Sequence, residues 1–323
     1  MENLQEKSIV FMGTPDFAVG ILQRMLEDGF RIAGVVTTPD KPSGRGLKVN
    51  RSAVKEFLIR REAETGMAIP LLQPVSLKDP EFLEQLRSWN ADLFVVVAFR
   101  MLPKIVWSMP PMGTFNLHAS LLPQYRGAAP INWAIINGEQ QTGVTTFFLD
   151  EHMDTGAIIH RAATPIGDDE NVGSLHDRLM QIGQELVCRS IVDIFDGKVT
   201  PLPQLESDDL KPAPKLSRET GLIHWDQDAV RIHNLVRGLS PYPGAHSLLV
   251  AGGKQQDVKI YATAPVQAGT GQPGTITTDG KTWFRVQCGS GALDILEVQL
   301  PGKKRLSIRE FLAGWRATEA HFE

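Results

Sequence analysis

Short apolar runs alternate with amphipathic stretches over the first part of the chain. Each run is bounded by turn-forming residues and has the length of a buried strand. The runs are SIVFM (8–12), RIAGVV (31–36), DLFVVVA (92–98) and TFNL (114–117). Residues 15–28 place apolar side chains at helical spacing, open with Pro15 and stop at Gly29. Strand, helix, strand is the order of a parallel sheet covered on both faces, so we predict a doubly wound, mostly parallel, Rossmann-like α/β domain.

The same pattern continues to about residue 200 and is then interrupted. GVTTFFLD (143–150) and GAIIHRAATPI (156–166) are predicted as further strands, and residues 171–197 as a long helix. Residues 199–217 contain four prolines and show no periodicity. Such a composition is typical of a linker.

Beyond the linker the chain changes to short strands. An amphipathic helix is predicted over residues 225–239, and β-like runs separated by Gly and Pro follow it. The runs are SLLV (247–250), VKIYATAPV (258–266), GTITT (274–278), WFRVQC (283–288) and ALDILEVQL (292–300). They favour a small OB-like β-barrel, although a sandwich fits nearly as well. The expected division is an N-terminal α/β domain over residues 1–198, a Pro-rich linker over 199–217 and an OB-like domain over 218–323.

Composition is compatible with a globular protein that has two hydrophobic cores. The chain has 323 residues, of which 42% are hydrophobic and 22% charged. Its net charge of −4 excludes only a uniformly basic protein. From Lys215 onwards, 13 Lys and Arg residues outnumber 10 Asp and Glu residues. This asymmetry, with the KKR run at 303–305, hints at an anionic partner, while a solvated turn is the ordinary alternative.

The cysteines and the N-terminus indicate the compartment. Cys188 and Cys288 are far apart and belong to no Cys/His cluster, so neither a disulfide framework nor a structural metal site is predicted. The N-terminus has no apolar secretory region, and no run approaches 18 uninterrupted apolar residues. We expect a cytoplasmic protein with no membrane partner.

Polar residues follow two of the predicted strands at positions suited to catalysis. Asn116 and His118 share one face at the end of TFNLH, at the carboxyl end of a strand, where open α/β sheets bind ligands. A lone histidine there is more often structural. Asp154, in the polar loop LDEHMDTG, strengthens the case because a carboxylate orients a histidine and favours its charged form. The amide offers a donor to developing negative charge, so the trio suits acyl transfer to a nucleophile supplied by the substrate. No G-x-S-x-G elbow accompanies it, which argues against a covalent acyl-enzyme.

Two loops in the first domain allow a ligand or a purely structural interpretation. MGTPDF (12–17) follows a strand and opens a helix, where a phosphate could rest, but it holds one glycine against the three of a dinucleotide fingerprint. Residues 37–52 form a long connection rich in Pro, Gly and basic side chains, with Asp40 as its only acidic one. That loop is either an arm that meets phosphates or an exposed, disordered loop.

Longer motifs in a fixed order resemble one known family. The runs NLHASLLPQYRGAAPINWAIINGE (116–139) and TGVTTFFLDEHMDTGAII (142–159) resemble the formyltransferases that use 10-formyltetrahydrofolate, in particular those acting on methionyl-tRNA. Shorter motifs that fit the same family are GTPDFA, PDKPSGRG, QPVSL, KLSRETGLIHW, LVRGLSPYPGA and PGKKRLS. The likeness spans nearly the whole chain, and the ordered combination is far more specific than any single motif.

The resemblance implies a mechanism and a set of residues. It assigns catalysis to Asn116, His118 and Asp154, with no metal. The methionine amine of charged initiator tRNA would attack the folate formyl carbon directly. Asn116 and protonated His118 would stabilise the oxyanion, while Asp154 would keep His118 charged and help to move the amine proton through water. The implied folate-binding residues are Ser120, Leu121, Leu122 and Pro123.

The resemblance also implies two surfaces for tRNA. The loop containing Arg45 would enter the groove of the acceptor stem, and the C-terminal barrel would grip the outside of the molecule. The basic residues concerned are Lys41, Arg45, Lys48, Arg51, Lys303, Lys304 and Arg305. We expect the protein to act as a monomer.

One segment departs from the family, and several acceptors stay open. FRMLP (99–103) has Arg100 where relatives carry glycine and is one residue shorter, so Arg100 either points to solvent or partly closes the pterin pocket. Alternative acceptors are an amino sugar on a nucleotide, glycinamide ribonucleotide and water. The purine-pathway relative lacks a large second domain, which counts against glycinamide ribonucleotide. A nonenzymatic RNA- or folate-binding module is the alternative from another class, and the intact trio argues against it.

Overall fold

The chain forms two compact units. The computed structural model describes residues 6–43, 48–267, 271–317 and 319–323. The first unit comprises Met1–Gly127, Gly143–Thr164 and His176–Pro212. The second unit comprises Ala128–Thr142, Pro165–Leu175 and Ala213–Glu323.

A seven-stranded sheet organises the N-terminal part of the chain. Its strands are β1 (Ser8–Gly13), β2 (Arg31–Val36), β5 (Leu71–Leu72), β6 (Leu93–Val97), β7 (Thr114–His118), β8 (Gln141–Phe148) and β9 (Ile158–Pro165). Their order is β5-β2-β1-β6-β7-β8-β9, with parallel pairing from β5 to β7 and antiparallel pairing of β7 with β8. The central strands β1 and β6 are buried along their whole length, as their apolar sequences predict. Because β2 and β6 lie on opposite sides of β1, the carboxyl ends of β1 and β6 meet at the topological switch point, where such folds bind ligands.

Helices accompany these strands along the chain and follow the patterns of the sequence. They are α1 (Asp16–Glu27), α2 (Ala53–Thr65), α3 (Pro80–Ser88), α4 (Lys104–Trp107) and α6 (Val172–Phe195), while α5 (Pro130–Ile136) belongs to the second unit. The helices α1 and α6 agree with the predicted helices at 15–28 and 171–197. The apolar stripe of α1 is buried at Phe17, Ile21 and Leu22, among others. The prediction of a doubly wound, mostly parallel α/β fold is confirmed.

The C-terminal part forms an antiparallel, nearly closed barrel, which decides between the two predicted alternatives. A short 3-10 turn (Glu219–Gly221) and α7 (Ala229–Gly238) precede its strands along the chain, and α8 (Ile308–Ala313) lies between the last two strands in sequence. Its strands are β10 (Ala245–Ala251), β11 (Lys254–Val266), β12 (Ile276–Thr278), β13 (Phe284–Gln287), β14 (Ala292–Gln299), β15 (Arg305–Ser307) and β16 (Ala320–Phe322). The sheet runs β12-β13-β14-β11-β10-β16, with β15 on β14. Its two ends meet because Phe322 N–H donates to Gly274 O at 2.9 Å and Thr275 bridges His321.

The basic loop of the first unit contains two short paired strands. The strands β3 (Lys41–Ser43) and β4 (Lys48–Asn50) follow β2 and precede α2 along the chain, and they pair antiparallel. The predicted tRNA contact Arg45 and the side chain of Lys48 lie outside the described residues. Strand pairing within this long connection was not predicted, because a three-residue strand carries no periodic signal.

Candidate active site

Buried polar atoms without protein partners gather at one edge of the parallel sheet. Within the described ranges, Thr14 Oγ1, Arg100 Nε and Asn116 Oδ1 are buried and have no hydrogen-bond partner. Thr14 follows β1, Arg100 follows β6 and Asn116 lies in β7, so all three lie towards the carboxyl ends of adjacent strands. Proteins pair nearly all their buried polar atoms. This edge therefore offers polar groups that a ligand can satisfy.

Strand β7 carries two of the predicted catalytic side chains. Asn116 and His118 are two residues apart and therefore point to the same face of the sheet. Asn116 is half-buried, and its backbone is held between Val96 on β6 and Phe147 on β8. His118 is 7% exposed and pairs with Thr145 on β8. Pairing on both sides gives Asn116 a rigid base.

The ring of His118 is oriented from both sides. Its Nε2 lies 2.8 Å from the backbone carbonyl oxygen of Tyr125. A carbonyl oxygen only accepts, so Nε2 carries a proton in this arrangement. Its Nδ1 lies 3.9 Å from Asp154 Oδ2. Nδ1 therefore faces a buried carboxylate at a distance longer than a direct hydrogen bond.

Asp154 reaches His118 from the loop between β8 and β9. Its side chain is 13% exposed, and Oδ2 accepts a hydrogen bond of 3.0 Å from the backbone N–H of Gly127. Its backbone φ of +57° lies in the left-handed region, where a non-glycine residue is held by its surroundings. Two residues on, Gly156 admits no side chain, because a Cβ there would lie 1.7 Å from Phe148 O. A tightly packed loop therefore fixes the position of the Asp154 carboxylate beside His118.

The turn after β7 supplies contacts that sequence reasoning missed. Tyr125 offers its carbonyl to His118, and Gly127 offers its N–H to Asp154. Tyr125 has a φ of +62°. The motif QYRG carried a weak signal for this turn through its glycine, but nothing in it indicates which backbone groups face inward.

The predicted linker also contacts the site. Gln204 donates to the carbonyls of Asp154 and Gly156, both at 2.9 Å, and accepts from Arg126. Lys211 O accepts from Tyr125 N–H at 2.7 Å. Residues 202–211 therefore run along the site rather than only joining two domains.

The predicted folate-binding residues form a loop whose side chains divide into two groups. Ser120 and Leu122 are 0% and 1% exposed, and Ser120 Oγ donates to Gln124 O at 2.6 Å. Leu122 packs against Phe147 and Ile158. Leu121 and Pro123 keep partly exposed surface. The exposed surface of the loop thus comes from Leu121 and Pro123, while Ser120 and Leu122 fix its shape.

Arg100 ties the shortened segment after β6 to a neighbouring loop. Its guanidinium donates to Val75 O at 2.8 Å and to Pro74 O. Burial lowers the pKa of Arg100 from the ordinary value of an arginine. Of the two orientations considered, the side chain does not extend into solvent but links residues 99–103 with QPVSL.

The candidate tRNA-contacting cations have different surroundings. Asp40 is the acidic residue of the basic loop, and its carboxylate accepts a hydrogen bond of 2.6 Å from Lys55 Nζ. This bond lowers the pKa of the Asp40 carboxyl. Lys41 is exposed, whereas Arg51 lies 3.5 Å from Glu56. Helix α2 thus pairs with one acidic and one basic side chain of the loop, and its own two charges cancel.

The basic turn of the second unit contains exposed and engaged cations. Lys303 and Lys304 are exposed. The Arg305 guanidinium stands 3.6 Å from the centre of the Tyr261 ring and 3.7 Å from Glu297. Lys303 and Lys304 are therefore the cations of this turn that extend from its surface.

No group of three or more His, Cys, Asp or Glu side chains in the described segments is arranged to hold a metal ion. None of the helices described has the length and apolar character that a bilayer crossing requires.

Comparison with known proteins identifies the family. The family model described as formyl transferase matches residues 6–191, and the one described as formyl transferase, C-terminal domain, matches 215–316. A protein of Bacteroides fragilis named methionyl-tRNA formyltransferase is 51% identical over 321 residues, covering 98% of this chain and 97% of its own. The chain belongs to the methionyl-tRNA formyltransferase family. The resemblance found from the motifs is confirmed, and the protein is a formyl-transferring enzyme.

Solved structures share the fold at lower identity. HypX from Aquifex aeolicus in complex with tetrahydrofolic acid has a TM-score of 0.63 and 20% identity, covering 97% of this chain and 50% of that chain. This chain thus spans about half the length of HypX. WlaRD, described as a sugar 3N-formyl transferase, has a TM-score of 0.64 and 19% identity, covering 92% of this chain and 99% of that chain. The fold of the family is therefore shared by a protein whose description names a sugar as the acceptor.

Proposed function

We propose that the protein transfers the formyl group of 10-formyltetrahydrofolate to the free amino group of methionine on initiator methionyl-tRNA. The product is N-formylmethionyl-tRNA for translation initiation. The observation that carries the proposal is the 51% identity, over 98% of this chain, to a protein named methionyl-tRNA formyltransferase. The tetrahydrofolic acid in the complex of the structural neighbour HypX supports folate as the formyl donor.

The arrangement of Asn116 and His118 suits the attack step. As the amine nitrogen bonds to the formyl carbon, the carbonyl electron pair moves to oxygen and creates an oxyanion. The Nδ2–H of Asn116 and the Nδ1–H of protonated His118, whose Nε2–H is already bonded to Tyr125 O, are the donors on one face of β7 that stabilise this charge. The unpaired Asn116 Oδ1 can accept from an N–H group of the substrates.

Asp154 manages charge and protons in the proposal. Its Oδ2 lies 3.9 Å from His118 Nδ1 and its side chain is 13% exposed, so the carboxylate faces the histidine ring. The attacking amine loses a proton, and the departing folate nitrogen gains one when its bond to the formyl carbon breaks. A water next to Asp154 relays that proton, because the gap to His118 exceeds a direct hydrogen bond. No acyl-enzyme forms, and no step is assigned to a metal.

The loop 120–123 is the proposed wall of the folate site. Leu121 and Pro123 supply apolar surface, while Ser120 and Leu122 hold the loop from within. Thr145 supports this loop, since its hydroxyl donates to Ser120 O at 2.7 Å and accepts from Leu122 N–H at 3.1 Å. A pre-shaped loop lowers the ordering cost of binding a rigid pterin.

We assign tRNA binding to two groups of cations on different units. Residues 1–198 would form the catalytic domain, 199–217 the connection and 218–323 the tRNA-binding domain. Contacts to phosphates release counter-ions from the nucleic acid. Because this release gains less entropy as the salt concentration rises, the affinity for tRNA should fall with added salt. The residues proposed are Lys41, Arg45, Lys48, Arg51, Lys303, Lys304 and Arg305.

The loop assignment has a direct test. A variant with Arg45, Lys48 and Arg51 changed to alanine should raise the KM for tRNA by about tenfold or more and flatten its salt dependence. The matched control removes three exposed cations elsewhere, Arg60, Lys78 and Arg87. Equal KM values for the two triple variants would exclude a role for the loop.

The acceptor is tested with a panel. The purified protein is incubated with 10-formyltetrahydrofolate and, separately, with methionyl-tRNA, an amino-sugar nucleotide, glycinamide ribonucleotide or no acceptor. The proposal predicts formyl transfer to methionyl-tRNA alone. Transfer to the sugar nucleotide or to glycinamide ribonucleotide, or release of formate without an acceptor, would replace it by the corresponding alternative.

A further inference from the structure

We propose that Gln204 is a positioning residue for Asp154 and that Arg126 holds it in place. The inference rests on the proposed function, because it concerns how the loop carrying Asp154 is aligned for formyl transfer. Gln204 lies in a segment with no predicted structure, 50 residues after Asp154. Its role follows from the contacts of its carboxamide group.

The carboxamide of Gln204 is fully used by two loops. Its Nε2 has two N–H donors, and these meet the backbone carbonyls of Asp154 and Gly156, each at 2.9 Å. Its Oε1 accepts from Arg126 Nε at 3.1 Å and from Arg126 Nη2 at 2.9 Å. No other uncharged side chain of this length carries an NH2 group with two donors and an accepting oxygen on the same carbon.

Arg126 carries this link back to the turn beside His118. It lies between Tyr125, whose carbonyl faces His118 Nε2, and Gly127, whose N–H meets Asp154 Oδ2. The turn and the Asp154 loop are therefore joined twice, once at the carboxylate and once through Arg126 and Gln204. The second link acts on the backbone of Asp154 and leaves its carboxylate free for the reaction.

The conformation of Asp154 explains why a second link is needed. Its φ of +57° lies in the left-handed region, which costs free energy for a non-glycine residue, although less for aspartate than for most. A rotation about the backbone dihedral angles of Asp154 would move its carboxylate relative to His118 Nδ1, which lies 3.9 Å from Oδ2. By fixing the carbonyls of Asp154 and Gly156, Gln204 opposes that change.

The segment that carries Gln204 is itself anchored on both sides. Leu202 and Ile158 exchange backbone hydrogen bonds of 2.7 and 2.9 Å. Further along, Lys211 O accepts from Tyr125 N–H at 2.7 Å. Gln204 thus acts from a fixed base rather than from a free linker.

The test uses Gln204→Ala and Gln204→Glu in the full chain, with 10-formyltetrahydrofolate and methionyl-tRNA. Gln204→Glu keeps the acceptor for Arg126 but sets carboxylate oxygens against the two carbonyls. For both variants we expect kcat to fall by about 10- to 100-fold, with each KM within about twofold of wild type. Combining Gln204→Ala with Asp154→Asn should lower kcat no further than Asp154→Asn alone, because Gln204 acts through Asp154.

A matched control and a second readout separate positioning from folding. Glu206→Gln removes the negative charge from the other partner of Arg126, an ion pair of 2.8 Å whose Glu206 side chain is 71% exposed, and should leave kcat unchanged. Hydrogen exchange at the Gly127 amide, which is bonded to Asp154 Oδ2, should be about tenfold faster in Gln204→Ala.

The outcomes are distinct from those that decide the proposed function. An active wild-type enzyme with an unchanged kcat in Gln204→Ala would overturn the inference alone. A loss of the same factor in the wild-type and Asp154→Asn backgrounds would also overturn it, since that is the result of a merely structural role. If wild-type protein formylates no acceptor, the proposed function fails, and exchange at Gly127 decides the inference: faster exchange supports positioning and unchanged exchange refutes it.

Discussion

Asn116 shows at the scale of one residue how the site departs from ordinary packing. Its Oδ1 is buried and has no hydrogen-bond partner within the described residues. Burying such an atom unpaired costs about 1–3 kcal/mol. Proteins tolerate a loss of stability of this kind where function requires the group. The orphaned oxygen is therefore consistent with an amide reserved for substrate.

This view predicts opposite effects of one substitution on stability and rate. Asn116→Ala should lower kcat by about 100-fold or more, because an oxyanion donor is lost. The free energy of unfolding should be unchanged or higher, because no protein hydrogen bond of Oδ1 is broken. Urea unfolding and steady-state formylation of methionyl-tRNA measure the two quantities.

Asn132 provides the matched control. Its Nδ2 donates to Gly238 O at 2.8 Å within the second unit. Asn132→Ala should cost about 1 kcal/mol of stability and leave kcat per folded molecule unchanged. A large loss of stability in Asn116→Ala would contradict the interpretation of its unpaired oxygen.

The sequence indicates the side chains of the site better than its backbone contacts. The two-residue spacing of Asn116 and His118 on a predicted strand suffices to place them on one face. The carbonyl of Tyr125 and the N–H of Gly127 were not predictable, because a left-handed turn is defined by backbone angles that QYRG only suggests. Gln204 was missed for the same reason, since its partners are backbone carbonyls distant in sequence.

At the scale of elements, the connection between β8 and β9 is built for close approach. A Cβ on Gly156 would fall 1.7 Å from Phe148 O, which is backbone and cannot rotate away. Any side chain there must push the segment 154–156 away from β8. The position of Asp154 therefore depends on a glycine two residues further on.

Gly156→Ala should accordingly damage both stability and activity. We expect a loss of about 3 kcal/mol or more from backbone displacement, and a fall in kcat per folded molecule as Asp154 moves from His118. The control is Gly197→Ala, at the end of α6, where φ is +67° and nothing lies within 4 Å of the added Cβ. That change should cost about 1 kcal/mol without affecting kcat. Full activity in folded Gly156→Ala would show that the loop position is unimportant.

Element prediction succeeded where a local signal exists. The helix α6 and the strands β1, β2, β6 and β7 have strong apolar periodicity, and their predicted bounds agree with the structure to within one or two residues. The pairing of β3 with β4 and that of Leu202 with Ile158 were not predicted. Both pairings depend on partners that only the folded chain brings together. The prolines of 199–217 also favoured a linker at the place where Leu202 pairs with Ile158.

At the scale of the whole molecule, each unit has its own core and contains one cysteine. Cys188 belongs to the first unit and Cys288 to the second, and both are free and buried. Burial raises the pKa of each thiol to about 12. Since thiolate is the reactive form, both should be inert in the folded protein.

The cysteines thus report the unfolding of the two units separately. At pH 8 we expect native protein to react with an alkylating reagent at least about 100-fold more slowly than unfolded protein at both positions. Mass spectrometry of pulse-labelled protein across a urea gradient assigns the labelling to each cysteine. Rapid labelling of both in native buffer would contradict the burial of the thiols. Stability should also fall as the pH rises above about 9, because unfolded thiols ionise first.

The closure of the C-terminal barrel illustrates what sequence patterns leave open at this scale. Short alternating runs predict the strands, but they fit a sandwich and a barrel almost equally. The choice is made by contacts between the ends of the sheet, at Gly274 and Phe322. Gly274 has a φ of +84°, and a Cβ there would lie 2.2 Å from Phe322 O. This close backbone approach is invisible in the sequence.

The most direct test of the account follows a labelled formyl group through a single turnover. Excess enzyme is mixed with methionyl-tRNA and 10-formyltetrahydrofolate carrying radioactive formyl carbon, and samples are quenched in acid over time. Direct attack by the methionine amine predicts that label passes from folate to methionyl-tRNA and is never bound to protein, with the rate lowered by Asn116→Ala. Label recovered on the protein, or released as formate while methionyl-tRNA stays unlabelled, would contradict the account.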